Sequence, residues 1–423
     1  MNKDDNKKTP LITLCLVTIA VGISSGLLGM SLALFLHYIQ HIAYGYSPLH
    51  IISNESFLEG VRTSSSERRV IVLIICGLIA GIGWAAVYQL GKPLVSIAEA
   101  LKTNKIMPVI STTFHALLQI ITIALGSPLG REVAPREVSA VFATLLSQKA
   151  GLSITETKIM LACGAGAGLA AVYNVPFGGA IFVLEVLLCT FSWSVVLPAL
   201  VTSAIATVVS WWGLGSAPLY HIKDMELSYS LVFWAIVSGP VFGVAAFWFI
   251  YIATLARNHA RRNWQMIFSC LLNFTLIGVL AIYYPVLLGN GKSPAQLEFD
   301  YSIGIGLSMT LLVLRCIIVW SSLRVGAQGG LLTPSLANGA LLGAILGGLW
   351  TMFWPTSSFE AFALIGAAAF LGAAQKMPIT AVILIFELTR VDLNLLPPIL
   401  FALTGSISMF HLCKNYYIKL NDS

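Results

Sequence analysis

Long, nearly uninterrupted apolar stretches dominate this sequence of 423 residues. Four clear examples lie at residues 11–39, 70–88, 231–255 and 303–321. Each is close to or longer than the roughly 20 residues that an α-helix needs to cross the hydrocarbon core of a bilayer. Charged residues make up only 10% of the chain, whereas a soluble domain carries about 25%. The sequence therefore predicts an all-α polytopic membrane protein whose surface is solvated by membrane lipid.

Basic residues gather in short polar segments between and beyond these stretches, and the net charge of +6 is spread over them. Eight of these residues lie at the two termini and in a central loop, namely Lys3, Lys7, Lys8, Arg257, Arg261, Arg262, Lys414 and Lys419. The positive-inside rule assigns such segments to the cytoplasm. We therefore expect a multi-pass protein of the plasma (inner) membrane with both termini cytoplasmic, and no nucleic-acid partner.

Two further segments bear on this orientation. An acidic segment that contains Asp224 and Glu226 is predicted to face outward. The segment with Arg62, Arg68 and Arg69 should also lie outside, although nearby glutamates only partly balance its charge. It therefore opposes the predicted orientation.

The chain contains an internal repeat. Residues 164–185 align with residues 366–387 at an offset of 202, and eight of the 22 aligned positions are identical. A proline and a glutamate nine positions apart occur in both copies, which the Ala/Gly-rich composition explains poorly. A second pair of elements, of the form GxxxxP, precedes the first at 130–135 and 329–334.

The repeat divides the chain into two transmembrane halves, 10–215 and 228–413. A cytoplasmic N-terminus (1–9), an outer linker (216–227) and a C-terminal tail (414–423) complete the expected domains. With both termini inside and the linker outside, each half crosses an odd number of times, so the halves are inverted. Inverted repeats form substrate sites near the bilayer midplane, at the interface between the repeats. A tandem duplication with parallel halves is the alternative.

Glycine and proline interrupt the apolar stretches at residues 126–128, 135, 176, 326–334 and 378. Broken helices are tolerated at membrane depth only where the freed backbone is buried or lines a cavity. These breaks are therefore expected to mark a functional site.

The most informative break is the sequence GSPLGREVAPRE at 126–137. It puts Arg131 and Glu132 among apolar residues, behind a glycine and ahead of a helical run at 138–146. The N-terminus of a helix carries about half a positive charge and unpaired N–H donors, so it favours an anion. An ionised Glu132 carboxylate would occupy the anion position, and a protonated one would swing away and open it.

Ionisable residues inside a membrane are functional candidates, and Glu132 is the candidate gate. The alternative is that Glu132 only pairs with Arg131 or caps the helix. Arg131 fits either role, whereas Arg136 and Glu137 are interpreted as structural.

Four segments resemble motifs of the CLC family of chloride channels and anion/proton exchangers. GREVAP (130–135) is similar to the family's GREGP, and GAGAGLAAVYNVPFGGAIFVLE (164–185) to the helices that follow it. GAQGGLLTP (326–334) is similar to the GxFxP element, and MPITAVILIFELT (377–389) to a stretch near the C-terminal end. The resemblance implies an inverted-repeat helical bundle with broken helices, which passes halide anions through a separate pore in each subunit of a homodimer.

The resemblance also implies a site. Glu132 matches the gating glutamate of the family. Backbone N–H groups near Arg131, Glu132 and Val133, and near Leu331 and Leu332, match the helix ends that coordinate the anion.

Two further ligands are implied less directly. The family uses a tyrosine hydroxyl near the C-terminus, for which Tyr416 is preferred and Tyr417 is the alternative; either could instead be an anchor in the membrane interface. The family's first anion motif, GSGIP, corresponds to GKPLVSI (91–97). Lys92 then replaces the central serine, unless the alignment shifts and Ser96 serves. Lys92 would attract anions as a ligand, or would snorkel to the interface.

Proton coupling and the choice of halide stay open. Exchangers of the family place two glutamates side by side, the second of which accepts protons from the inside. Glu185 matches the first and Val186 replaces the second; Glu185 and its repeat partner Glu387 are interpreted as structural. Fluoride-exporting members also lack the second glutamate and have a similarly altered first motif. Chloride is therefore the default substrate and fluoride the alternative, with protons as a conditional second substrate.

Two other classes of protein fit less well. A membrane-embedded enzyme would need a nucleophile with a base, or clustered metal ligands, but the seven histidines are scattered and no HExxH motif is present. A cation transporter would need inward acidic clusters, whereas the breaks here carry glycines and basic residues. We therefore predict anion transport without enzymatic activity, and no cofactor or metal ion.

Overall fold

The structure is a computed structural model that describes residues 9–46, 56–222, 225–354 and 359–422. Within these ranges the chain is nearly all helical, and β-structure is limited to one isolated bridge. The N-terminal lysines and Asp224, on which the predicted orientation partly depends, lie outside the described residues.

The described part of the first half forms nine α-helices. They are α1 (Leu11–Tyr44), α2 (Phe57–Thr63), α3 (Ser66–Leu90), α4 (Ile97–Thr103), α5 (Val109–Ala124), α6 (Val133–Lys149), α7 (Ile154–Tyr173), α8 (Pro176–Phe182) and α9 (Trp193–Leu214). A π-helical turn at Val183–Leu187 extends α8.

The described part of the second half forms eight α-helices. They are α10 (Tyr229–Asn258), α11 (Gln265–Tyr283), α12 (Lys292–Phe299), α13 (Ile305–Arg324), α14 (Leu332–Trp350), α15 (Phe359–Gln375), α16 (Pro378–Thr389) and α17 (Leu396–Asp422). Short 3-10 turns lie at Pro285–Leu287 and Leu393–Leu395.

Eight helices of the described chain are long and apolar enough to cross a membrane, among them α1, α3, α10 and α13. With 34 residues, α1 is about 51 Å long at 1.5 Å per residue, against about 30 Å of hydrocarbon. A helix of that length tilts or extends beyond the membrane. Large apolar side chains such as Leu16 (62% exposed) and Phe233 (54% exposed) lie on outer helix faces, as lipid contact requires.

The long helices of the two halves follow the same order and have corresponding neighbours. In the first half α1 packs on α9 and α6 packs on α7; in the second half α10 packs on α17 and α14 packs on α15. The helices α3 and α11, each the second long helix of its half, pack on one another across the halves. This correspondence shows the two repeats, which form the predicted all-α inverted-repeat bundle with broken helices.

Small residues allow the pairs α6–α7 and α14–α15 to approach closely. A Cβ atom at Gly164 would lie 2.7 Å from the main-chain oxygen of Ser139, and one at Gly339 would lie 2.4 Å from that of Gly366. Membrane helices rely on such small residues at their contacts because the hydrophobic effect does not drive helix association in lipid.

The prolines of the repeat lie in the first turns of helices. Pro135 and Pro334 are each the third residue of their helix, α6 and α14, and Pro176 and Pro378 are the first residues of α8 and α16. Proline is tolerated there because N–H groups of the first turn have no partner within the helix. One difference from expectation is that α6 begins five residues before the helical run predicted from residue 138.

Glu185 and Glu387 form reciprocal contacts between the halves. The Glu387 carboxylate accepts hydrogen bonds from the backbone N–H groups of Phe177 (2.9 Å) and Gly178 (2.6 Å), at the start of α8. Glu185 accepts from the backbone N–H groups of Ile379 (3.0 Å) and Thr380 (2.7 Å) and from the Thr380 hydroxyl (2.6 Å), at the start of α16. Each carboxylate thus caps a helix of the opposite half, where unpaired donors and the helix dipole favour a negative charge.

We predict that Glu185→Ala lowers the melting temperature of the detergent-solubilised protein. The substitution removes three hydrogen bonds and leaves donors at the start of α16 unpaired, at a cost of about 1–3 kcal/mol for a buried one. Glu67→Ala, at an exposed helix start, is the control and should change the melting temperature little. An unchanged melting temperature in Glu185→Ala would contradict the joining role of this carboxylate.

Candidate anion-binding site

The breaks of the two halves meet in a short backbone pairing. Gly130 and Gly330 form an antiparallel bridge in which each N–H group donates to the carbonyl oxygen of the other, at 2.8 and 2.7 Å. Gly130 precedes α6 by three residues and Gly330 precedes α14 by two, so the pairing brings the two helix N-termini side by side. It also satisfies backbone groups that the breaks set free, which is required at membrane depth.

Glu132 lies between these two N-termini. The residue is 1% exposed, and its Oε1 accepts a 2.7 Å hydrogen bond from the backbone N–H of Leu332, the first residue of α14. Neither α6 nor α14 receives a hydrogen bond from the side chain of its own N-cap residue. The carboxylate of the first half therefore caps a helix of the second half. Its oxygen stands where a free anion would be held by the same donors.

Two hydroxyl groups surround the second carboxylate oxygen. Oε2 of Glu132 lies 3.3 Å from the Tyr173 hydroxyl and 3.5 Å from the Thr333 hydroxyl, and these hydroxyls are 3.0 Å apart. Tyr173 is the last residue of α7 and Thr333 the second of α14, so both halves contribute. With the Leu332 amide, they form a cluster of donors that suits a small anion once the carboxylate leaves.

Glycine is required beside this carboxylate. A Cβ atom at Gly330 would lie 1.9 Å from Oε1 of Glu132, and one at Gly130 would lie 2.2 Å from Oε2. Only a residue without a side chain lets the two backbones pair this close to Glu132.

A cavity of about 800 Å³ opens next to Arg131 and Tyr173. The guanidinium carbon of Arg131 lies 5.2 Å from the centre of the Tyr173 ring. The lining includes a second cation, Lys292, and three histidines, against one carboxylate, Asp300, among the described residues. With two cations against one carboxylate the lining carries a net positive charge, which raises the local concentration of anions. The cavity therefore forms an approach to the Glu132 site.

The structure brings together five of the predicted anion-site residues, all at the two helix starts: Arg131, Glu132, Val133, Leu331 and Leu332. Val133 and Leu332 begin α6 and α14, so their N–H groups have no partner within their helices. The donor supplied by Leu332 is the one that Glu132 occupies.

Lys92 and the C-terminal tyrosines are not brought into this cluster. Lys92 is exposed in the connection between α3 and α4, and the Ser96 side chain caps α4 by accepting from a first-turn N–H at 3.1 Å. Tyr416 is 67% exposed on α17, and the Tyr417 hydroxyl bonds to the Tyr251 hydroxyl of α10. The role of these residues as anion ligands stays a prediction.

Sequence reasoning misses Tyr173, Thr333 and Arg257. Nothing in the pattern connects Tyr173 with Glu132, although it lies in the aligned repeat. Arg257 is assigned from sequence to a loop, and that assignment is wrong because α10 continues to Asn258; its cytoplasmic side stays a prediction. Its guanidinium instead donates a 2.7 Å hydrogen bond to the carbonyl oxygen of Gly329. The signal for it is an arginine directly after a long apolar run, where ionisable residues are functional candidates.

The fold and the site define a class of protein. Two inverted helical halves hold a buried carboxylate and two helix N-termini between them, which is the arrangement of an ion-transport protein. The family model described as voltage gated chloride channel matches residues 71–410. The chain therefore belongs to the voltage-gated chloride channel (CLC) family. It transports small inorganic anions across a membrane, and is a channel or transporter rather than an enzyme.

Sequence relatives span most of the chain. It is 28% identical over 403 residues to the voltage-gated ClC-type chloride channel ClcB of Salmonella typhimurium, which covers 92% of this chain and 93% of the relative. It is 27% identical over 361 residues to the protein of the same name from Citrobacter koseri, which covers 82% of this chain and 85% of the relative.

Solved structures share the fold. A slow cyanobacterial Cl−/H+ antiporter has a TM-score of 0.78 at 17% identity and covers 96% of both chains. A CLC-type fluoride/proton antiporter has a TM-score of 0.68 at 20% identity, covering 95% of this chain and 96% of the other. A eukaryotic CLC transporter has a TM-score of 0.71 at 16% identity, covering 95% and 72%.

We predict that Gly330→Ala flattens the pH dependence of anion flux. The added Cβ would take the space of Oε1 of Glu132, so the carboxylate loses its bond to the Leu332 N–H. Chloride efflux from proteoliposomes, compared between acidic and neutral pH, measures the effect. Gly306→Ala on α13, where a Cβ meets open space, is the matched control. A wild-type pH response in Gly330→Ala would contradict the geometry of the site.

Proposed function

We propose that this protein passes chloride-type halide anions through the site between α6 and α14, and that the Glu132 carboxylate gates this site. One observation carries the proposal: Oε1 of Glu132 accepts a 2.7 Å hydrogen bond from the Leu332 N–H, at the position that an anion would take. The proposed anion donors are the backbone N–H groups at residues 131–133 and 331–332.

Gating follows from competition for the same donors. When Glu132 is ionised, it satisfies the start of α14 and excludes the anion. When it is protonated, it loses its charge and therefore its preference for a helix N-terminus, so an anion replaces it. A halide accordingly occupies the site more often at low pH and at high halide concentration.

Chloride is the proposed ion. The ClcB relatives of Salmonella typhimurium and Citrobacter koseri are named chloride channels, and one protein of similar structure is a Cl−/H+ antiporter. The alternative is a fluoride-exporting antiporter, which the similar fluoride/proton antiporter structure and the altered GREVAP motif support. Val186, in place of the inner proton-accepting glutamate, favours a channel, while the gating carboxylate is compatible with proton exchange.

We also propose that both termini are cytoplasmic, that the linker 216–227 faces outward, and that the protein lies in the plasma (inner) membrane. Two of the three arginines that oppose this orientation have structural partners. Arg68 donates to the carbonyl oxygens of Ile42 and Ala43 at the end of α1, and Arg69 donates to that of Ala281 near the end of α11. Because helix C-termini carry partial negative charge, these cations are matched locally and are weak signals of topology.

A homodimer with one pore in each subunit is proposed on the family resemblance. Each chain supplies a complete Glu132 site, since both helix starts that form it belong to one chain. Multi-angle light scattering on the detergent-solubilised protein should give twice the mass of one chain, and a single-chain mass would overturn this part of the proposal.

We predict that Glu132→Gln abolishes the pH dependence of chloride flux while flux itself persists. Glutamine is close in size to a protonated glutamate and carries no charge at any pH, so it cannot compete for the donors as an anion does. Chloride efflux from proteoliposomes over a pH series measures this, with the exposed Glu67→Gln as the control. An unchanged pH response in Glu132→Gln would remove the gating role of this residue.

The identity of the ion and the coupling are tested in the same proteoliposomes. Anion efflux and proton uptake are recorded together, first with chloride and then with fluoride. Proton uptake in fixed proportion to anion efflux indicates an exchanger, and its absence indicates a channel. Fluoride efflux that far exceeds chloride efflux would favour the fluoride-exporting alternative, and no efflux of either ion would overturn the proposed function.

A further inference from the structure

We propose that the cavity next to Arg131 binds a small divalent oxyanion of the sulfate or phosphate class, and that this ligand blocks the approach of halides to Glu132. Arg131, Lys292 and the start of α12 hold the ligand. The blocking role rests on the proposed function, since it concerns the same permeation path, whereas the binding itself does not.

The cavity is lined by residues of both halves and of the linker between them. Its volume of about 800 Å³ falls within the range of pockets for small molecules, about 300–1,000 Å³, and far exceeds the volume of one halide ion. Residues 217–219 of the linker belong to the lining, so the cavity faces outward in the proposed orientation. A polyatomic anion and its accompanying water therefore have room here.

Arg131 presents a buried cation to this cavity. The residue is 9% exposed, and its buried Nε atom has no hydrogen-bond partner among the described residues. The ion pairs between described residues do not include it. A guanidinium group offers its N–H donors in a planar fork that matches two oxygen atoms of one oxyanion. Arg131 therefore suits an oxyanion better than a spherical halide.

Lys292 contributes a second cation to the same cavity. It is exposed, it lines the cavity, and it takes part in no ion pair between described residues. The protein around it still desolvates its ammonium group; this desolvation and, second, the positive charge of Arg131 lower the pKa of Lys292 to about 8. Two cations that repel one another at a shared cavity are stabilised by an anion that contacts both.

The start of α12 adds backbone donors. This helix has eight residues and begins at Lys292, and its N-cap residue, Gly291, provides no side chain to cap it. The Lys292 N–H reaches only Oδ1 of Asn290, at 3.3 Å. Asn290, Lys292 and Ser293 all line the cavity. Because a helix N-terminus favours negative charge, this end of α12 attracts an anion from the cavity.

The corresponding helix of the first half has no such opening. It is α4, since α4 and α12 each follow the second long helix of their half and precede the helix that leads to the break. The Ser96 hydroxyl caps α4 by accepting from the Glu99 N–H at 3.1 Å. The two halves therefore differ at this point, and only α12 leaves its first donors to a ligand.

The nearby carboxylates do not neutralise the two cations. Asp300 is the one carboxylate of the lining among the described residues, and its Oδ1 accepts a 2.9 Å hydrogen bond from the Gln296 amide. Glu298 lies outside the lining, and burial raises its pKa to about 7. Glu132 is also outside the lining and is bound to the start of α14.

A third cation lies directly behind the start of α12. A Cβ atom at Gly291 would lie 2.5 Å from Nη2 of Arg315, which is 0% exposed. Its Nη2 donates to the carbonyl oxygen of Asn290 at 3.3 Å, and its Nε and Nη1 have no partner among the described residues. Three cations thus stand against Asp300 around the cavity. The excess of two positive charges matches a divalent anion, which would offset the cost of these poorly compensated charges.

A ligand bound here stands between the outer solution and the gate. Arg131 directly precedes Glu132 in the chain. Tyr173, whose hydroxyl lies 3.3 Å from Oε2 of Glu132, lines the cavity as well. An oxyanion on Arg131 therefore fills the space through which a halide would reach Glu132, and it should reduce halide flux.

The test is sulfate binding to the purified full-length protein in detergent, at constant ionic strength with gluconate as the replacing anion. Isothermal titration gives the affinity, and the sulfate-induced rise in melting temperature gives a second readout. Methanesulfonate keeps the sulfonate group with one charge less and should bind about tenfold more weakly than sulfate. Absence of sulfate binding overturns the site, and equal binding of the two probes overturns its preference for a dianion.

Variants of the lining test the charges. Lys292→Gln removes one cation and should weaken sulfate binding about tenfold, while Lys292→Arg should keep most of the affinity. Asp300→Asn removes the carboxylate, keeps an acceptor for Gln296 and should tighten sulfate binding several-fold, a gain that misfolding does not produce. Lys149→Gln is the matched control, because Lys149 is exposed at the end of α6 and outside the lining.

The outcomes of these variants are decisive. Wild-type sulfate affinity in Lys292→Gln overturns the site, as does an equal loss of affinity in Lys149→Gln. If Lys292→Gln does not fold, Asp300→Asn decides, since weaker or unchanged sulfate binding in that variant is incompatible with a site built on excess positive charge.

A pH series identifies Lys292 as a ligand. With a pKa of about 8, Lys292 carries its charge near pH 7 and loses it as the pH rises towards 9, so sulfate, which stays divalent, should bind more weakly at the higher pH. Arginine keeps its charge, so Lys292→Arg should remove most of this change. The other titratable side chains of the lining are common to both proteins: His37, His41, His221, Asp300, Tyr46 and Tyr173. Equal pH responses in the two proteins overturn the role of Lys292.

Flux measurements keep this inference apart from the proposed function. Chloride efflux from proteoliposomes is compared with and without sulfate on both sides, as a ratio for each variant. Sulfate should slow efflux in the wild type and slow it less in Lys292→Gln. Sulfate binding without any halide efflux overturns the proposed function and supports the binding site. Halide efflux without sulfate binding overturns the site alone, and sulfate binding that leaves efflux unchanged overturns the blocking role.

Discussion

The pairing of Gly130 with Gly330 is the constraint on which the rest of the structure depends. A helix that stops inside a membrane leaves backbone donors and acceptors that neither lipid nor water can satisfy. Here each half stops a helix, and the backbone of the other half supplies the partners through two hydrogen bonds of 2.8 and 2.7 Å. The reciprocal caps from Glu185 and Glu387 repeat the arrangement at α8 and α16. Neither half can satisfy its own breaks, so the two fold as one unit.

That mutual dependence also assembles the proposed anion site. A buried carboxylate is costly unless donors surround it, and Glu132 finds them at the start of α14 and at the hydroxyls of Tyr173 and Thr333. Hydrogen-bond donors that offset the charge of a carboxylate oxygen can also bind a free anion of similar size. The cavity next to Arg131, whose lining has two cations and one carboxylate, then increases the local concentration of competing anions. In the proposed function, gate and substrate are therefore alternatives for one set of hydrogen bonds.

The sequence predicts the class of fold and the centre of the proposed site because both depend on patterns that are visible in the sequence itself. Apolar length gives the membrane helices, the repeat gives the inverted halves, and a glutamate behind a glycine in an apolar segment gives Glu132. No sequence pattern identifies the partners of Glu132, since Tyr173 and Thr333 are 41 and 201 positions away along the chain. From sequence alone, Arg257 is interpreted as a cation in a loop, and only the structure shows its contact with the carbonyl oxygen of Gly329. Contacts between the halves are set by packing, which a single sequence does not encode position by position.

The hydrogen bonds of Glu185 and Glu132 differ in a way that supports the proposed mobility of Glu132. Glu185 accepts three bonds of 2.6 to 3.0 Å, two of them from backbone N–H groups of one helix start. Glu132 accepts one bond of 2.7 Å, and its other two contacts are 3.3 and 3.5 Å long. Since hydrogen bonds weaken as they lengthen, Glu132 loses less when it leaves its site, and the donors it vacates can bind a halide in its place. Glu185 would have to abandon a helix start that nothing else caps. The same chemical group therefore holds the two halves together at Glu185 and, in the proposed function, acts as the gate at Glu132.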